Sequence, residues 1–119
     1  MNDIRGRTTK EGIRIYTEAD FAGMRAAGRA AAEILDNVAP LVKPGVTTAA
    51  LDDFITAEVT RMGVISATIG YKGYKHASCI SVNHVVCHGI PGGKVLADGD
   101  ILNIDVTVIV DGWYGDTSR

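Results

Sequence analysis

The sequence predicts an α+β layer, with two helices lying on one face of a mostly antiparallel sheet. Three observations predict it. Apolar residues recur at three-and-four spacing through the first half of the chain, and β-branched runs broken by Gly, Pro, Asn and Asp fill the second half. Asp111-Gly112, between Val110 and Trp113, is the strongest short hairpin signal present, because a two-residue turn with positive φ favours Asp or Asn followed by Gly.

In chain order, residues 1–16 are polar and mixed in charge and read as a loosely held N-terminal arm. Thr17 then precedes Glu18, Ala19 and Asp20, an N-cap with acids in the first turn where the helix dipole favours them. Phe21, Met24, Ala31, Ile34, Leu35 and Val38 share one helical face, and Ala27, Gly28, Ala30, Ala31 and Ala32 make this helix slim enough to lie close against a sheet. Pro40 and Lys43-Pro44-Gly45 end or kink it. Thr47 or Thr48 caps a second helix, with Leu51, Phe54, Ile55, Val59 and Met62 on one face and Gly63 as its stop. ISATIGY (65–71), SCISVN (78–83) and DILNIDVTVIV (100–110) are the strand runs, the last returning through the Asp-Gly turn.

At 119 residues, 46% hydrophobic and 22% charged, the chain has the make-up of one soluble globular domain. A net charge of -2 with no basic block gives DNA or a membrane surface nothing to bind. No apolar run approaches the roughly 18 residues of a membrane span, and MNDIRGRTTKEG has no apolar signal core, so a cytoplasmic location is expected. Cys79 and Cys87 form neither a disulfide framework nor a CxxC knuckle, and both are expected to be reduced and unpaired.

A carboxylate is a poor strand former, yet Asp105 sits among Ile104, Val106 and Val108, and Asp116 follows Trp113 and Tyr114. With Asp111-Gly112 as the loop, Val110 faces Trp113 and Thr107 faces Asp116, so Asp105, Thr107 and Asp116 point to one side. Asp105 and Asp116 are then diagonal neighbours, roughly 7–8 Å apart at the backbone. Two readings stand at this point. Both carboxylates face solvent or cap local amides, or a hard divalent cation lies between them and relieves their repulsion.

His88, in CHGIP (87–91), follows a strand run and precedes a Gly-Ile-Pro turn, where a sheet-supported loop suits a functional imidazole as well as a structural one. His76 and His84 read as structural. GYKGY (70–74) interleaves Tyr71 and Tyr74 with glycines, either as an aromatic-lined loop or as tyrosines that only pack a turn.

Taken in order, KPGVTTAALD, GYKGY, CISVNHVVCHGIP and LADGDILNIDVTVIVDGWYGDTS resemble the first half of the bacterial type I methionine aminopeptidases, from about Phe21 to Arg119. The resemblance implies the α/β "pita-bread" fold, two pseudo-symmetric halves with helices outside a curved, mostly antiparallel sheet. Residues 17–119 would be the N-terminal half. It implies a centre of two divalent metal ions, Co, Mn, Fe, Zn or Ni, in which Asp105 chelates one ion and Asp116 bridges both, activating water and polarising the scissile carbonyl. His88 would hydrogen-bond the scissile amide as the catalytic histidine. Tyr71, Tyr74, Cys79 and Thr68 would line the methionine pocket, Thr68 standing where the family usually has a cysteine. Asn83 and Val85 would belong to a loop offering backbone oxygens to a monovalent cation. The substrates would be the N-terminal peptides of nascent chains, met in transient contact with the ribosome, and the complete enzyme would be a monomer.

The family's other ligands, a histidine and two glutamates, are expected beyond Arg119, because Glu11, Glu18, Glu33 and Glu58 all precede the hairpin and lie in the arm or the helices. The 119-residue chain alone is therefore expected to be inactive. Two other readings compete: a non-catalytic binding module of the same fold, in which the metal aspartates would usually be lost, and a prolidase-type peptidase, for whose large extra domain the short arm leaves no room.

Overall fold

The computed structural model of the chain describes residues 7–8, 14–15, 17–83 and 89–119. The polar arm carries a short antiparallel pair, β1 (Arg7–Thr8) with β2 (Arg14–Ile15). Helix α1 spans Glu18–Val38 and opens on a capping box: Asp20 N donates to Thr17 Oγ1 at 3.3 Å, and Thr17 N donates to Asp20 Oδ2 at 2.8 Å. Its buried face is Ala27, Ala30, Ala31, Ile34, Leu35 and Val38. Phe21, expected on that face, is 43% exposed. Pro40 does not kink the helix. It follows the helix end and forms part of a 3₁₀ turn over Ala39–Leu41.

Helix α2, Thr48–Met62, is capped by Thr47, whose Oγ1 accepts from Ala50 N at 3.1 Å, and ends at Gly63, whose φ of 69° is the left-handed conformation that glycine adopts freely. The sheet follows: β3 (Ile65–Ser66), β4 (Ser78–Val82), β5 (Leu102–Val110) and β6 (Trp113–Ser118), all pairing antiparallel through β5. Along β5, Ile104, Val106 and Val108 are buried in one core with Ile34, Leu35, Leu51 and Ile55 of the helices. The alternate residues, Asp105 and Thr107 among them, face away from that core.

The first strand run, ISATIGY (65–71), is shorter than its composition suggests. After Ser66 the chain leaves the sheet, because Ser66 Oγ accepts from the amides of Thr68 and Ile69, both at 3.3 Å. Gly70 then turns with φ 87° into a 3₁₀ turn over Tyr71–Gly73. Local side-chain acceptors here outcompete the ladder.

The expected closeness of α1 to the sheet is present at two places. A Cβ on Gly115 of β6 would meet Ala27 O at 2.3 Å, and a Cβ on Gly23 would meet Trp113 Nε1 at 2.3 Å. The helix backbone therefore rests directly on β6. Among the described residues no helix is long and apolar enough to cross a membrane.

Candidate functional site

The β5–β6 hairpin turns at Asp111-Gly112, with φ of 50° and 81°, and its register pairs Val110 with Trp113, Ile109 with Tyr114 and Thr107 with Asp116. Asp105, Thr107 and Asp116 consequently share a face. Asp105 is half-buried and Asp116 exposed. Thr107 Oγ1 donates to Asp116 Oδ1 at 2.9 Å, which fixes one carboxylate oxygen and leaves the other for a second partner. On the opposite side of β5, Cys79 of β4 is the register partner of Asp105, so its thiol lies on the same face.

Over that face stands the loop between β3 and β4. Thr68 Oγ1 donates to the His76 carbonyl at 2.7 Å, and Tyr74 Oη donates to the Ser78 carbonyl at 2.8 Å, folding the loop back towards the sheet. The two layers enclose an open cavity of about 630 Å³. Asp105, Thr107 and Asp116 form its floor, and Thr68, Tyr71, Tyr74 and Cys79 its walls, with Ile90 at one side. Burial, reinforced by the Cys79 thiol 3.6 Å away, pushes the Tyr74 phenol well above its ordinary range, so it remains a neutral hydrogen-bond donor. The apolar and weakly polar walls suit an unbranched, uncharged side chain, and the floor supplies hard oxygen donors.

Six residues singled out from sequence thus meet at one cavity: Thr68, Tyr71, Tyr74, Cys79, Asp105 and Asp116. His88, Val85 and Cys87 lie outside the described residues. Cys79 is a free thiol. Asn83 does not line this cavity. It adopts φ 54° at the end of β4, where its Nδ2 donates to Asp100 Oδ1 at 3.0 Å and its Oδ1 accepts from Ile101 N at 3.0 Å. Among the described residues, no three of His, Cys, Asp and Glu are grouped to hold a metal. Glu58, one of the glutamates excluded from the site, accepts instead from Asn37 and Arg61 at the helices.

Two residues around the site, Asp52 and Ser78, were not singled out from sequence, and Thr107 was placed on the shared face without a role. Asp52 had a visible signal. It precedes Ile55 and Val59 by three and seven positions, so it is a carboxylate on the apolar stripe of α2. Ser78 carries none, since small hydroxyl residues are ordinary in strands.

Residues 22–119 match the metallopeptidase family M24. The methionine aminopeptidase of Rickettsia prowazekii (strain Madrid E) is 58% identical over 107 residues, covering 90% of this chain and 41% of that protein. The methionine aminopeptidase of Escherichia coli (strain K12) is 54% identical over 112 residues, with the same coverage of 90% and 41%. The crystal structure of the Rickettsia prowazekii enzyme superposes with a TM-score of 0.87 over 90% of this chain and 43% of its own. The chain spans about two fifths of the length of these relatives.

Proposed function

The chain belongs to metallopeptidase family M24, and from that premise we propose that it forms the N-terminal half of a metal-dependent aminopeptidase that removes the initiator methionine from nascent proteins. The observation that carries this is the single cavity joining a two-carboxylate floor to the Tyr71, Tyr74, Cys79 and Thr68 walls. The names of the relatives favour an aminopeptidase over a prolidase-type enzyme, and the presence of both aspartates favours an enzyme over a silent binding module.

Asp105 and Asp116 would hold divalent ions. Their fit is that of hard oxygen donors converging on one cavity, with Thr107 already orienting Asp116. When bound, such ions supply Lewis acidity and a water acidic enough to act as nucleophile near neutral pH. The protein's own contribution is positional. The walls hold the methionine side chain, Tyr74 stays protonated at any physiological pH, and His88 would hydrogen-bond the scissile amide. Asn83 and Val85 would form the monovalent-cation loop. The enzyme would act in the cytoplasm as a monomer, in transient contact with the ribosome.

The test pairs turnover with metal binding. A chain extended by a second half that carries a histidine and two glutamates should release methionine from Met-Gly-Met with added Co²⁺ or Mn²⁺, whereas the 119-residue chain should not. In the extended protein Asp116→Asn should abolish turnover, and His88→Ala should slow it with metal content retained. No turnover by the extended protein would sink the assignment. Robust turnover by the 119-residue chain would sink the half-site reading.

A further inference from the structure

Asp52 is the most buried carboxylate among the described residues, 4% exposed on α2, and it lies outside the cavity. Both of its oxygens reach across to the start of β4. Oδ1 accepts from Ser78 Oγ at 2.6 Å and from Ala77 N at 3.1 Å, and Oδ2 accepts from His76 Nδ1 at 3.1 Å. Because an ionised carboxylate only accepts, His76 carries a proton on Nδ1. The three residues include Ser and His, yet both bond the Asp rather than each other, and Ser78 is fully buried, so this is not a nucleophilic triad.

The bonds continue from this clamp to the cavity walls. Tyr74 Oη donates to the Ser78 carbonyl at 2.8 Å and lies 3.6 Å from Cys79 Sγ. Thr68 Oγ1 donates to the His76 carbonyl at 2.7 Å, and the His76 ring meets Tyr74 edge-on with centroids 5.4 Å apart. Residues 74–77 precede β4 and make no strand pairing of their own. Beside the β4–β5 ladder at Cys79 and the Ser66 bond to Thr68, a carboxylate anchored on a core helix thus holds the segment that carries Thr68 and Tyr74 over the floor.

We propose that Asp52 is a positioning residue of the side-chain pocket, setting its width by clamping residues 76–78 to α2 through His76, Ala77 and Ser78. Rigid support for pocket walls sets how tightly they close on a ligand, and a carboxylate suits this place because it accepts three hydrogen bonds at once. The proposal rests on the reading of this cavity as the site for a methionine side chain.

The test titrates the chain with L-methionine, following the Cys79 amide and the Tyr74 ring by NMR. The wild type should saturate. Asp52→Ala should weaken binding at least about tenfold, the scale of losing hydrogen bonds to a charged acceptor. Asp52→Asn should stay within about threefold, because its Oδ1 still accepts from Ala77 and Ser78. Its Nδ2 would now donate to His76, so the ring proton should move from Nδ1 to Nε2, a change visible in the imidazole ¹⁵N shifts. A fold-supporting role alone would leave affinity unchanged in every variant that keeps its amide dispersion. If Asp52→Ala does not fold, His76→Ala takes its place, with binding about threefold weaker and the Tyr74 ring resonances displaced. A wild type that binds but loses nothing in the folded variants overturns this proposal alone. A wild type that shows no saturable shift overturns the pocket reading and the proposal with it.

Discussion

Thr107 and Asp116 face each other across the hairpin, and the hydroxyl of one donates to the carboxylate of the other at 2.9 Å. Asp116 is proposed to hold a divalent ion, and a group that orients a metal ligand typically contributes tenfold or more to affinity. Thr107→Val keeps the β-branched shape and removes the donor, so it should weaken Mn²⁺ binding by about tenfold in calorimetry, with the fold unchanged. Equal affinity in the two proteins would remove Thr107 from the site. A second residue-scale expectation concerns Asp100. The Asn83 amide and the Ala97 backbone N–H hold its carboxyl below the ordinary range. A lowered folded value means that the unfolded chain takes up the proton first. The stabilisation is therefore present above about pH 4 and is lost as pH falls through the folded value. The Asp100 carboxyl carbon should titrate below the ordinary Asp midpoint, with the Ala97 amide shift following it. Titration at or above that midpoint would contradict the contact. At this scale the shared face of Asp105 and Asp116 was legible because period-two alternation and an Asp-Gly turn fix a register without reference to anything distant. For Asp52 only its place on the apolar stripe of α2 was legible, because its partners are 24 to 26 residues away and only the folded chain brings them near.

The elements themselves follow from local signals where the signal is redundant. Thr17 with Asp20, and Thr47 with Gly63, mark helix ends by capping chemistry, and the structure uses each of them. ISATIGY was less legible. Its β-branched content suggests a strand, but the Ser66 hydroxyl and Gly70 divert the backbone, and the diverted segment becomes the wall that carries Thr68 and Tyr71. Close packing of α1 on β6 gives a paired test with opposite signs. A Cβ on Gly115 would strike Ala27 O at 2.3 Å in backbone that cannot step aside, so Gly115→Ala should cost about 1–3 kcal/mol or more in urea unfolding. A Cβ on Gly28 would meet nothing within 4 Å, and there an Ala should stabilise α1 by up to about 1 kcal/mol. Similar effects at the two glycines would contradict the direct seating of the helix on the strand.

At the scale of the whole molecule, the sheet is ordered so that β5 lies between β6 and the strands β3 and β4. Among the described residues the strand paired with β6 is β5, and Tyr114 of β6 is 65% exposed. A strand edge templates pairing with another chain unless something covers or charges it. The complete enzyme is proposed to be a monomer, which requires that edge to be covered or charged, and the 119-residue chain spans about two fifths of its relatives. The expected outcome is that the chain by itself associates with increasing concentration in sedimentation equilibrium. Tyr114→Lys should shift it towards monomer, since a charge beside the edge disfavours pairing and touches neither the cavity nor the α1 contact. A wild-type chain that stays monomeric at high concentration would show that the edge is already covered, and a Tyr114→Lys variant that associates as strongly as the wild type would place the contact elsewhere than β6.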